Sequence, residues 1–141
     1  MATASRGRAK SPAQTFALVF GIVYVAVGIL GFAVTGFDNF FNSSANDVLI
    51  VFPVNPAHNI VHLLIGAAWI GGSRAYQPAK AVNTGVGAAY LLVFLLGLFG
   101  ALEWLSIESG VNADQLLHLV SGGLSVYFGT AGAGDRSAAT V

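Results

Sequence analysis

The chain has 141 residues, 55% hydrophobic and 9% charged, with six Lys/Arg against six Asp/Glu. A soluble domain carries about 25% charged residues, so this composition excludes a water-covered globule, and its high hydrophobicity excludes disorder. Zero net charge and the absence of cysteine exclude general attraction to nucleic acid, disulfides, zinc–thiolate centres, iron–sulfur clusters and thiol catalysis.

Residues 1–11 form a basic, mobile cytoplasmic tail with Arg6, Arg8 and Lys10. An apolar stretch over about residues 13–34 follows. Its uncharged run of about 19 residues exceeds the usual 7–15 of a secretory signal, and no A-x-A site follows it. It reads as a retained signal-anchor helix. The connection Thr35–Asn55 starts polar (Asp38, Asn39, Asn42, Ser43, Ser44, Asn46, Asp47) and turns apolar in Val48–Val54. A long loop with its own apolar segment packs on something, here the interface or the outer end of a bundle. Asn42-Ser43-Ser44 is a formal sequon and carries no weight.

Three further stretches, about 56–72, 79–102 and 113–131, complete four spans within a single membrane domain, residues 12–131. A crossing helix needs about 20 residues, with a range of about 17–25. No span has Lys or Arg near its centre, where each costs about 2.5–3.5 kcal/mol. Residues 132–141 form a second mobile tail. Arg6, Arg8, Lys10, Arg74, Lys80 and Arg136 all fall on one side, while Asp38, Asp47 and Glu108 fall on the other. The positive-inside rule then places both termini in the cytoplasm. The expected fold is an all-α, four-helix transmembrane bundle in the plasma or inner membrane.

The spans repeat. Spans one and three match at an offset of 66: Pro12/Pro78, Ala13/Ala79, Gly21/Gly87, Tyr24/Tyr90, Val27/Val93, Leu30/Leu96 and Gly31/Gly97. Gly21, Tyr24, Gly28 and Gly31 share one helical face, and Phe94 replaces Gly28 in the second copy. Spans two and four match at an offset of 56: Ala57/Ala113, His62/His118, Leu63/Leu119 and Gly66/Gly122. The pattern is two parallel helical-hairpin repeats about an axis along the membrane normal.

Set in four spans, His58–Gly66 (H-N-I-V-H-L-L-I-G) and Asn112–Gly122 (N-A-D-Q-L-L-H-L-V-S-G) resemble the bacterial, mainly actinobacterial, membrane family catalogued as domain of unknown function 4383. The resemblance covers roughly residues 12–131 and implies a four-span inner-membrane protein with no established activity. Members often read N-T-A-D-N-W-L-H in the second segment. Here Gln115 and Leu116 replace the Asn-Trp pair.

His62 and His118 are the sharpest feature. Each lies about six residues inside its span, roughly 9 Å from the helix start. Ionisable residues within a membrane tend to face the bundle interior, and each histidine has a glycine four residues later. Both are expected to point into the outer half of the bundle. One reading is a ligand pair for a b-type haem. Another is a metal ion on His58, His62 and His118 with Asp114, since His58 and His62 are spaced i, i+4. A third is a proton, quinone or small-ligand site. Against these stands ordinary helix-to-helix hydrogen bonding beside a small residue.

Asp114 suits a helix start, where it meets the positive end of the dipole, and His58 suits an interfacial first turn. Glu103, at the outer end of span three, either snorkels beside Trp104 or turns inward as a partner for the histidines. Tyr24 and Tyr90 are paired near mid-span, where each hydroxyl needs a partner or a ligand. Ser121, Ser125 and Gly129 form a small-residue stripe for close packing, within the chain or in a homo-oligomer or membrane partnership. No complete catalytic set, phosphate loop or dinucleotide fingerprint is present. The first expectation is a structural or interaction component with no demonstrated chemistry. The rival is a ligand-binding membrane protein working through His62 and His118.

Overall fold

The computed structural model describes residues 9–41 and 47–134. Most of both expected tails lies outside the described residues, as do Arg6, Arg8, Arg136 and the Asn42–Ser44 sequon. Four helices dominate: α1 (Pro12–Thr35), α2 (Pro56–Gly72), α3 (Tyr76–Leu98) and α4 (Ala113–Gly129). Between α1 and α2 stands a small antiparallel hairpin, β1 (Val48–Leu49) and β2 (Phe52–Pro53).

Local chemistry sets the helix starts. Ser11 caps α1 in a capping box with Gln14, and Pro12 opens the helix, where its missing N–H is not needed. The Asn55 side chain accepts the His58 N–H at 2.8 Å and starts α2. The Asn112 side chain accepts the Gln115 N–H at 2.9 Å and starts α4. Capping of this kind stabilises a helix by about 1 kcal/mol.

The third helix differs from the expected span. It begins at Tyr76 and ends at Leu98, not at 79 and 102. Gly100 turns at φ 74, and Glu103–Leu105 form one 3₁₀ turn. The apolar run continues through Phe99–Leu102, but the backbone does not. Hydropathy alone cannot see a chain reversal made by glycine.

α1 packs mainly on α2, and α3 mainly on α4. The two hairpins use the same contact. A Cβ on Gly21 would lie 2.9 Å from the Gly66 carbonyl oxygen, and one on Gly87 would lie 2.9 Å from that of Gly122. Only glycine lets these backbones approach so closely. The equivalence extends along the seam, because Gly31 packs on the Asn59 side chain and Gly97 on that of Gln115. These pairs reproduce the offsets of 66 and 56, so the bundle is built from two equivalent hairpins.

Burial is inside-out compared with a soluble bundle. The interior face of α1 is Ala13, Phe16, Ala17, Gly21, Tyr24, Gly28 and Gly31, while Val19, Ile22, Val23, Ile29 and Leu30 are exposed. In α4, Asp114, Gln115, His118, Ser121 and Ser125 are buried, whereas Leu116, Val120 and Leu124 are exposed. α1 and α3 are long and apolar enough to cross a membrane. α2 and α4 have 17 residues each, the short limit for a crossing.

The bundle has two unlike halves. The terminal end holds residues 9–11, the turn 73–75 and residues 130–134. Next to it is an aromatic block: Phe16 stacks on Phe20 at 4.1 Å and on Phe128 at 4.8 Å, and Trp69, fully buried, meets both Phe16 and Phe20 edge-on. The loop end carries residues 36–41, 47–55 and 99–112. Its adjoining half is lined by imidazole, amide and carboxyl groups.

Candidate functional site

The polar half is assembled from all four helices. On α1, Tyr24 follows Gly21 by one turn and faces α2. On α2, His62 stacks on the Tyr24 ring at 4.9 Å and 12°. On α3 and α4 the same pair recurs, with Tyr90 and His118 at 5.3 Å and 22°. The two tyrosines meet edge-on at 5.7 Å, and Tyr24 lies within hydrogen-bonding reach of Tyr90 and Ser121. A continuous row, His62–Tyr24–Tyr90–His118, therefore crosses the bundle and joins the hairpins. Trp69 backs it, edge-on to Tyr24 at 4.9 Å.

Each inner histidine has a partner one turn toward the loop end, and here the repeats diverge. In the first hairpin Nε2 of His62 is 3.0 Å from Nε2 of His58. In the second, Nδ1 of His118 is 3.5 Å from Oδ2 of Asp114. His58 and Asp114 are equivalent positions at the offset of 56. One copy thus holds an imidazole pair and the other a carboxyl–imidazole pair.

The His58–His62 contact fixes proton positions. An N–H···N bond needs one Nε2 to donate and the other to accept, so the two neutral rings are opposite tautomers. One exposes an Nδ1 donor and the other an Nδ1 acceptor. Among the described residues, Nδ1 of His58, His62 and His118 and Oδ2 of Asp114 are buried without a hydrogen-bond partner. Leaving a buried polar atom unpaired costs about 1–3 kcal/mol.

His58, His62 and His118 line one cavity of about 50 Å³ with Tyr90, beneath Leu105 and Ile107 in the seam between α2 and α3. A water molecule needs about 10–15 Å³ on this measure, so there is room for a few. A haem does not fit, since pockets for organic ligands run from about 300 Å³ upward. Among the described residues, no group of three or more His, Asp or Glu side chains is arranged to hold a metal ion. His58 and His62 face one another at hydrogen-bond distance, and His118 faces Asp114.

The family model described as Domain of unknown function (DUF4383) matches residues 14–131. The chain belongs to this family. No curated protein and no solved structure matches it.

Other expected residues of this DUF4383 chain fall into place one by one. His58 is buried beneath Leu105 rather than interfacial. Asp114 does not cap α4. Asn112 does so, and Asp114 turns inward one turn before His118. Glu103 is not at the end of a span and does not meet the histidines. It is exposed on the 3₁₀ turn and borders a surface pocket with Ser106 and Glu108. Trp104 is also exposed and contacts Phe41 at 5.8 Å. The stripe of Ser121, Ser125 and Gly129 lies within the bundle: Ser125 Oγ donates to the Asn83 carbonyl at 2.7 Å, and Gly129 packs on Thr84. Gly28 makes room for Leu63 and the Asn59 carbonyl.

Three amides escaped the sequence reading. Asn83, fully buried, donates to the Ala13 carbonyl at 3.0 Å and ties α3 to α1. Asn59 donates to Thr35 Oγ1 at 3.0 Å, and Gln115 donates to the Glu108 carbonyl at 3.4 Å. The repeat offset alone would have paired Asn59 with Gln115. Nothing comparable marks Asn83, whose repeat equivalent is Ala17.

Proposed function

We propose that the chain is a multi-pass integral protein of the bacterial plasma membrane, with four spanning helices and both termini cytoplasmic. Its working part is a small polar-ligand site in the outer half of the bundle. The inside-out burial supports the membrane setting, because large aliphatic side chains face outward where lipid is as apolar as they are. Charge supports the orientation. Lys10, Arg74 and Lys80 stand at the terminal end, and Asp38, Asp47, Glu103 and Glu108 at the loop end.

One observation carries the site: three imidazoles line a cavity of about 50 Å³, and no Nδ1 among them completes a hydrogen bond, that of His118 facing the Asp114 carboxyl at 3.5 Å. Polar groups held within a membrane are costly and mark function. The cavity has room for a species of the size of water, and because its lining is largely apolar the imidazole nitrogens lie just behind the surface, so that species reaches the opposed tautomers only as the rings turn toward it.

The test is magnetisation transfer from water to side-chain nitrogens, measured by NMR on histidine- and tryptophan-labelled protein in nanodiscs. Water contact is expected at His58, His62 and His118 and not at the Trp69 indole in the aromatic block. Dry histidines would reduce the cluster to helix-to-helix packing and leave the chain a structural component.

A further inference from the structure

We propose that the ligand class of this site is the proton, admitted from the loop end through Asp114 and passed to His118. The inference rests on the membrane-site reading above and adds a route and a direction to it.

A second hollow, of about 70 Å³, lies at the loop end. It is bordered by Val51 and Pro53 of the β-hairpin, by Glu108, and by Asn112, Ala113 and Asp114 at the start of α4. The hairpin thus reaches across the bundle and roofs the start of α4. Asp114 belongs to this outer hollow, while His118, 3.5 Å from the Asp114 carboxyl, belongs to the histidine cavity. The two spaces share no lining residue, and the Asp114–His118 contact is what stands between them. Asp114 is 5% exposed and His118 is 3% exposed, and Oδ2 and Nδ1 both lack a hydrogen-bond partner among the described residues.

The groups around Asp114 suit a proton better than an anion or a bulky solute. Glu108 stands beside it in the outer hollow. His118 lies on its own helix, His58 and His62 face the cavity from α2, and the Tyr24 and Tyr90 hydroxyls lie within electrostatic range on α1 and α3. One carboxyl among three imidazoles makes a neutral cluster in two ways: a carboxylic acid with neutral rings, or a carboxylate with one imidazolium. Burial penalises net charge, so the carboxylate with three neutral rings, one proton short of both forms, is driven to take up one proton, which the two neutral forms then share. In the transfer, the Asp114 carboxyl O–H bond breaks and an N–H bond forms at Nδ1 of His118. The carboxylate remains beside the imidazolium, and its next proton comes from water in the outer hollow. Toward the terminal end the route stops at Trp69, Phe16, Phe20 and Phe128. The arrangement accepts and returns protons on one side and does not conduct them across.

The test uses full-length protein in nanodiscs with ¹⁵N-labelled histidine. Ring shifts are followed between about pH 4 and pH 8, which brackets ordinary carboxyl and imidazole values. His118 is expected to pass from the split nitrogen shifts of a neutral ring to the merged shifts of an imidazolium, and Asp114→Asn is expected to abolish that change. A His118 ring that stays unchanged in the unsubstituted protein, or changes equally in Asp114→Asn, overturns the proposal. The outer entry is tested separately. Val51→Cys, the only thiol in the chain, is coupled to a bulky maleimide, which is expected to slow exchange of the His118 N–H with water severalfold. An unchanged rate overturns the route. The water contacts measured on the same sample decide the site reading independently: dry histidines defeat both, while wet histidines with no pH response defeat the proton alone.

Discussion

The two hairpins agree along their glycine seams and in the tyrosine–histidine row, and differ on either side of that row. Gly21 on Gly66 matches Gly87 on Gly122, and Tyr24 on His62 matches Tyr90 on His118. One turn beyond, His58 stands where the second copy has Asp114, and Asn59 where it has Gln115. Toward the terminal end, the fully buried Trp69 is matched by Ser125, and Ala17 by Asn83. Shared positions hold the backbones together, so either copy loses the seam by changing them. Of the divergent positions, His58, Asp114, Trp69 and Asn83 are buried inside the bundle, and there one copy supplies what the other leaves. Trp69 supplies bulk where Ser125 is small, and Asp114 supplies the one buried carboxyl to a cluster of three imidazoles.

The largest effect is expected at the shared seams. In Gly21→Ala the new methyl would meet the Ile70 backbone nitrogen at 2.9 Å, and in Gly87→Ala it would meet the Val126 backbone nitrogen at 2.7 Å. Backbone cannot move aside as a side chain can, so each substitution should cost about 1–3 kcal/mol. Reversible unfolding in mixed micelles measures this. The two losses should be of similar size. A large loss in one hairpin alone would break the equivalence.

A smaller and one-sided effect is expected at Asn83. Removing its amide in Asn83→Ala leaves the Ala13 carbonyl without that donor and should cost about 1–2 kcal/mol in the same assay. Placing the amide in the other copy, as Ala17→Asn, should not restore it. Recovery in that double variant would show that the copies are interchangeable at this level.

The smallest effect concerns the tyrosines. Tyr24→Phe and Tyr90→Phe should each cost about 0.6–1 kcal/mol, the range for hydrogen bonds between spanning helices. The double variant should cost less than the sum, since the two rings meet edge-on and the hydroxyls lie within reach of one another. Strict additivity would mean that the hydroxyls serve separate partners and that the row does not join the hairpins.

Much of this was legible because duplication writes it twice. A lone glycine in an apolar helix says little, but Gly21 and Gly87 at one offset, with Gly66 and Gly122 at another, already define two seams. The depth of His62 and His118 came from the same source. What sequence could not supply was direction within a helix. The i, i+4 spacing of His58 and His62 was compatible with a shared ligand, whereas the rings turn to each other. Asp114 had a sufficient role at a helix start until Asn112 took it. Glu103 was drawn into the third span by Phe99–Leu102, although the helix ends at Leu98, Gly100 turns the backbone within that run, and Phe99 is 85% exposed. Asn83 is a single amide with no counterpart, and its buried bonds depend on the approach of α1, which no local pattern encodes.

The membrane account is tested most directly by thiol accessibility in intact cells. The chain has no native cysteine, so Ser109→Cys at the loop end and Gln77→Cys at the terminal end each offer one exposed thiol. An impermeant maleimide should label Ser109→Cys in intact cells and Gln77→Cys only after the membrane is opened. Labelling of Gln77→Cys but not Ser109→Cys would reverse the orientation, and equal labelling of both in intact cells would contradict a bundle that spans the membrane.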